Sequence, residues 1–176
     1  ATTLLTKRTL NDSTIAVTIG ARKGTYKDMP ANRHYTLKLV ASTVPASVKI
    51  DGTETAYTYD GNNLSVLIDI PDTDCAKEKT VIVAYPKNAK PVTDGLVGKF
   101  RHIQQGCIAL KSSNPGFVFN EQLGTMESTG VAISYAPQEA EQRIEAFRRN
   151  YANLKQVLLE SGMEEAEADK FIQKAY

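Results

Sequence analysis

This sequence has no tryptophan, only two cysteines and two histidines, and no excess of either charge: its 176 residues carry 21 Lys+Arg against 20 Asp+Glu. Each shortage excludes something. Two thiols, Cys75 and Cys107, cannot build a disulfide framework or a four-thiolate metal site. A net charge of +1 argues against a nucleic-acid-binding chain, which gathers a basic excess on one face. No run reaches the ~18–20 apolar residues of a membrane span, and no short apolar stretch behind a basic start reads as a signal peptide. There is no internal repeat and no low-complexity segment. Chain length allows one or two domains. The first residue is Ala rather than Met, so the chain is expected to be a processed product or a piece of something longer.

What is present divides by periodicity. Up to about Tyr85 the apolar residues alternate, as half-buried strands require. Ile15, Val17 and Ile19 share one parity, as do Tyr35, Leu37 and Leu39, then Val48 and Ile50. Leu64, Val66, Ile68 and Ile70 follow, and Val81, Val83 and Tyr85 close the series. Asn11-Asp12-Ser13, Asp51-Gly52, Asp60-Gly61-Asn62-Asn63 and Pro71-Asp72 read as turns between them. Thr2 to Arg8 is one further candidate strand.

Beyond Lys87-Asn88-Ala89-Lys90-Pro91 the period becomes helical. Leu96, Phe100, Ile103, Cys107 and Leu110 recur at steps of four and three, with Thr93 or Asp94 as cap and Asn114-Pro115-Gly116 as stop. Asn120 to Ser134 predicts a short helix, despite Gly124 and Gly130. From Pro137, Ile144, Phe147, Tyr151, Leu154 and Leu158 form one stripe that Ser161-Gly162 ends. A last helix, Glu164 to Tyr176, is expected to bury Phe171 and Ile172. The expected fold class is α+β: an N-terminal antiparallel β-sandwich of about seven strands over residues 1–88, then a C-terminal bundle of three or four α-helices over 89–176.

Chemistry is harder to place. Asp69, Asp72 and Asp74 flank Pro71, where acids in a connection between strands serve turns and solubility; calcium is the alternative that oxygen ligands on a loop would suit. His102 and Cys107 are five apart on a helix, so they do not meet, and Cys107 lies on the apolar stripe. His34, beside Arg33 and Tyr35, reads as a surface strand residue. No catalytic residue, metal ligand set or cofactor follows from these spacings. Gly20-Ala21-Arg22-Lys23-Gly24-Thr25-Tyr26 does not lead from a strand into a helix, so it is a bent strand end rather than a phosphate loop. Its Arg22 and Lys23 are candidates to meet an anion or a neighbouring domain's carboxylate. Tyr57 and Tyr59 share a face and Tyr26 sits in a loop; together they are the candidate sugar platforms, with packing at the core's edge the plainer reading of the pair.

Gly24-Thr25-Tyr26-Lys27-Asp28-Met29-Pro30-Ala31-Asn32-Arg33-His34-Tyr35 resembles the sandwich that follows the catalytic barrel in family-31 glycoside hydrolases. Val44-Pro45-Ala46-Ser47-Val48-Lys49-Ile50-Asp51-Gly52 is similar to that domain's P-x-S-V-x-V-N-G strand and turn, with Asp51 for the usual Asn. Tyr57-Thr58-Tyr59-Asp60 with Leu64-Ser65-Val66 is similar to its W-x-Y-D…L-x-V hairpin, with Tyr57 where Trp is frequent. The likeness runs from about Leu10 to Tyr85; Gly124-Thr125-Met126-Glu127-Ser128-Thr129-Gly130 resembles a helical extension of some bacterial members.

The resemblance implies a parent enzyme that hydrolyses α-glucosidic or α-xylosidic bonds with retention, and a periplasmic or extracellular setting. Its aspartates cannot be carried over. The family nucleophile sits in a Trp-x-Asp-Met motif, and Asp28-Met29 here is followed by Pro30-Ala31 in a chain without Trp. A (β/α)₈ barrel also needs about 250 residues. The expectation is therefore a noncatalytic, structural or interdomain piece. Its expected partners are the barrel and proximal sandwich of its own parent chain, with the loop residues Arg22, Tyr26, Met29 and Arg33 at the contact. The alternative is a carbohydrate-binding module that stacks oligosaccharide on Tyr26, Tyr57 and Tyr59. Self-association through the helices is a further expectation.

Overall fold

A computed structural model describes residues 6–11, 13–87, 89 and 91–174. Thr2–Leu5 of the expected first strand, Asp12 of the first turn, Asn88 and Lys90 of the linker, and Ala175 and Tyr176 of the last helix lie outside the described residues. The chain forms strands first and helices second, an α+β fold. It divides into two compact units: the chain to Tyr59 with Ser65–Thr93, and Asp60–Leu64 with Asp94–Tyr176.

The first unit holds two antiparallel sheets. One has the order β1-β2-β8-β4-β5, from Thr6–Leu10, Thr14–Ile19, Lys79–Ala84, Ser47–Ile50 and Thr53–Glu54. The other has the order β3-β7-β6, from Asn32–Leu39, Ser65–Asp74 and Thr58–Asp60. Alternation decides which side is buried: Ile15, Val17 and Ile19 of β2, and Val81 and Val83 of β8, turn inward. So do Val66, Ile68 and Ile70 of β7, each almost without exposure. Removing each such side chain from water contributes about 1.5–3 kcal/mol. The Asp51-Gly52 turn takes positive φ at both residues, 49° and 85°, as a two-residue hairpin loop of the primed type requires. Its carboxylate accepts from the Thr80 N–H (2.9 Å) and the Lys79 ammonium (2.7 Å), fastening the hairpin to β8.

One expected turn is absent. Pro71-Asp72 lies inside the ten-residue strand β7, and so do Asp69 and Asp74. Tyr35 pairs with Ile70 and Arg33 with Thr73, so Pro71 and Asp72 together oppose His34 in a β-bulge. A bulge leaves a residue out of the ladder, which is where a proline, lacking an N–H, fits. The three aspartates therefore sit along a strand rather than on a connection between strands.

The second unit contains α1 (Leu96–Ser113), α2 (Glu121–Tyr135), a 3₁₀ turn at Pro137–Glu139, α3 (Ala140–Ala152), α4 (Leu154–Glu160) and α5 (Glu165–Gln173). That is five α-helices among the described residues, where three or four are expected. The difference is the continuous stripe from Ile144 to Leu158, which breaks at Asn153. There the backbone turns off helical values (φ −112°, ψ 28°) and the side-chain amide donates to the Arg149 carbonyl. The cap of α1 is Gly95 at φ 65°, with no side-chain hydrogen bond, rather than Thr93 or Asp94. Asn120 caps α2, accepting from the Leu123 N–H at 2.9 Å. Phe100 meets Phe147 edge to face (centroids 4.5 Å apart), and Ile103, Leu123, Met126, Ile133 and Leu158 of the same unit are also buried. Phe171 is buried, but Ile172 is 36% exposed, because only one side of α5 faces the other helices.

The turn Asp60–Leu64 belongs to this helical unit. The Gly61 N–H donates to Ser134 Oγ (2.8 Å), Gln104 donates to Asn62 Oδ1 (2.9 Å) and Arg101 to Asn63 Oδ1 (3.0 Å). The approach is close enough to require glycine on both sides. A Cβ on Gly61 would lie 2.2 Å from the Gly130 carbonyl oxygen, and one on Gly130 would lie 2.4 Å from Asn62 Oδ1.

Candidate functional site

The residues singled out in the strand half fall at two places. At the first, Tyr57 enters β6 and Tyr59 lies within it, their hydroxyls both directed at the β3–β4 connection. The Tyr57 hydroxyl donates to the Pro45 carbonyl and that of Tyr59 to the Ser42 carbonyl, each at 2.7 Å. Tyr59 is 4% exposed and has no free ring face. Tyr57 is half-buried, and burial raises its phenol pKa. Ser42, itself buried, adds a hydrogen bond of 2.8 Å between its Oγ and the Tyr85 hydroxyl. This is a satisfied buried polar node in which each hydroxyl meets a fixed partner. It joins three chain segments, with the Tyr59 ring buried and that of Tyr57 half-buried. Sequence spacing shows the shared face of Tyr57 and Tyr59; it cannot show Ser42, which is 17 residues away from Tyr59 and carries no motif.

At the second place, the loop of residues 20–31 leads into β3. Its base is tied. The Arg22 N–H donates to the Cys75 carbonyl and the Cys75 N–H to the Ala31 carbonyl, both at 2.9 Å, and the Arg22 guanidinium reaches the Pro30 carbonyl. The tip is open: Lys23, Gly24, Thr25, Tyr26, Lys27 and Asp28 are exposed, Tyr26 at 49%, and Met29 is half-buried. Arg33 is exposed at the start of β3. The phenol of Tyr35 is held above its usual pKa by burial and by a bond to the Cys75 thiol, against the opposing charges of Arg33 and Arg22. The candidate sugar residues are thus not brought together. Tyr57 and Tyr59 belong to the first place, Tyr26 to the tip of the loop.

The remaining candidates form no reactive centre. His34 Nε2 lies 2.6 Å from Asp69 Oδ1, both side chains at least half exposed. Register alone brings this pair together, since the residues lie 35 apart in sequence. Asp74 is 4.0 Å from Lys77. His102 is held within the helices: Nδ1 lies 2.8 Å from the Tyr151 hydroxyl and Nε2 donates to the Phe171 carbonyl at 2.8 Å. Cys107 is buried, and desolvation, helped by Glu127, pushes its thiol up to about 12, the opposite of an activated nucleophile. Among the described residues no three His, Cys, Asp or Glu side chains gather as a metal site needs, and no helix is long and apolar enough to cross a membrane.

No protein-family model matches the chain, and no curated protein does. Among solved structures it is similar to a GH31 dextranase of Flavobacterium johnsoniae, a mutant complexed with isomaltotriose. The identity is 16% and the TM-score 0.42, over 47% of this chain and 12% of that one. This is a distant, partial likeness to one glycoside hydrolase, too slight to carry an argument by itself.

Proposed function

We propose that the chain is a noncatalytic C-terminal segment of a retaining α-glycosidase of the family-31 kind, acting on α-glucosides or α-xylosides, and that its work is structural and interdomain. One observation supports this most. Several of the residues on which the sequence resemblance rests fasten the strand unit to itself. Tyr57 is tied to Pro45, Tyr59 to Ser42, and Asp51-Gly52 to β8. Residues used in this way make a brace. Its partners are the barrel and proximal sandwich of the parent chain. The loop of Arg22, Tyr26, Met29 and Arg33, open at its tip, is the part of the strand unit proposed to meet them.

Expressing the complete reading frame tests the reading. The full product is expected to hydrolyse a chromogenic α-glucoside or α-xyloside, and the 176-residue chain alone is expected not to. Removal of the segment should lower the melting temperature of what remains. Calorimetry of the isolated chain with malto- and xylo-oligosaccharides should show no heat at millimolar ligand. Hydrolysis by the isolated chain, or a frame that encodes no barrel, would overturn the proposal. Saturable heat with oligosaccharide would turn it toward a binding module.

A further inference from the structure

We propose that the free edge of β3, beside the basic loop that precedes it, is the docking site for an acidic segment in extended conformation, which adds as a fourth strand to the three-stranded sheet.

β3 is eight residues long and paired on one side only, with β7. No backbone hydrogen bond to its other side occurs among the described residues. An edge strand of this length presents a row of unpaired N–H and C=O groups, the template that strand addition uses. The bulge falls at its start, so Tyr35–Leu39 is left as a continuous five-residue run in unbroken register with Ile70–Val66. The inward row is unfinished at this edge. Ile68 and Ile70 of β7 are fully buried, while Tyr35 and Leu37 beside them are only half-buried. A fourth strand would cover both.

Charge specifies the occupant. Arg22, Lys23 and Lys27 of the loop and Arg33 and Lys38 of β3 form no ion pair among the described residues. Of the nearby acids, Asp69 is engaged with His34 and Asp74 with Lys77, which leaves Asp28 of the loop and Asp72 of the bulge against five basic side chains. A second copy of this chain would bring the same positive charges to the same edge, and like charges across a pair of strands repel. An acidic strand gains cross-strand pairs instead. The basic side chains that protect this edge from its own kind thus select what it accepts. The inference goes beyond the function proposed above and holds whether or not the chain is carried on a hydrolase.

The test uses fluorescence anisotropy of the whole chain with a labelled octapeptide that alternates Glu with Val and Thr. Saturable binding is expected, weakened at least tenfold when salt rises from about 50 to 300 mM. The double variant Arg33→Glu/Lys38→Glu, both positions exposed, is expected to bind at least tenfold more weakly with an unchanged far-ultraviolet circular dichroism spectrum. Amide exchange should slow in Thr36–Leu39 when the peptide is added. A peptide with alternate backbone nitrogens methylated should fail to bind, as should the same peptide with Lys for Glu. No binding at millimolar peptide would overturn the proposal. So would equal binding of the Lys or methylated peptide, or equal competition by a sulfated oligosaccharide, which would mean capture of any polyanion without strand pairing.

Discussion

The two units solve burial in different ways. In the strand unit the aliphatic interior also contains hydroxyls: Tyr59 is tied to the Ser42 carbonyl and Ser42 Oγ to the Tyr85 hydroxyl, while Thr93 Oγ1 is buried with no hydrogen-bond partner among the described residues. In the helical unit the interior is aromatic and aliphatic. Its precision comes from missing atoms, the absent Cβ groups of Gly61 and Gly130 that let a turn approach α2. The lesson is that polar pairs supplement the aliphatic packing of the first unit, while close fitting of volume sets where the turn of the second can lie. Substitutions that delete volume should therefore hurt the helices most, and those that delete a hydroxyl should mark the strands.

The largest effect should come from Phe147→Ala. The ring is 1% exposed and packs on Phe100, so its loss should cost about 3–5 kcal/mol and lower the melting temperature followed by the helical signal at 222 nm. Next is Gly130→Ala, which adds volume where none is available. A cost of about 1–3 kcal/mol is expected from overpacking against Asn62, measured by urea denaturation, and Asn62→Gly in the same chain should recover part of it. An unchanged urea midpoint would break the volume side of the comparison.

Tyr59→Phe should cost about 1–2 kcal/mol, because it leaves the Ser42 carbonyl buried without its donor, and Tyr57→Phe should cost less at its more exposed place. The smallest effect belongs to Asp51. The Lys79 ammonium, and then the Thr80 N–H, hold its carboxyl below the usual value. A depressed carboxyl contributes stability above its unfolded pKa and loses it as pH falls through the folded one. Wild-type stability should therefore fall from about pH 5 toward pH 2 more steeply than that of Asp51→Asn. The pair is partly solvated, so the difference should stay below about 1 kcal/mol and shrink with salt.

Much of the architecture was legible because burial writes parity into strands and a three-four step into helices. Ile15, Val17 and Ile19, or Leu96, Phe100 and Ile103, need no neighbour to be read. What misled was local chemistry that tertiary structure overrode. Pro71-Asp72 carries every sign of a turn, yet β7 passes through it because the bulge opposite His34 removes the need for an N–H. Asn153 interrupts a stripe whose spacing never falters, since periodicity records faces and not backbone breaks. The candidate site was less legible than the fold. A tyrosine's place in sequence does not say whether its hydroxyl finds a carbonyl, and Pro45 and Ser42 carry no signal of that duty. The His34–Asp69 pair and the unpaired side of β3 both depend on register, which one sequence does not contain.

The five residues that the β6–β7 hairpin contributes to the helical unit have a practical consequence for cutting and recombining genes. The polypeptide passes from one unit to the other three times, after Tyr59, Leu64 and Thr93, so no single scission separates them. A clone that starts at Asp94 would produce helices in which Ser134 and Gln104 have lost the groups they bind and Gly130 guards an empty notch. The helical portion is therefore not a cassette to be appended or discarded at will. Any ancestor that gained it would have had to accommodate this hairpin tip at the same time.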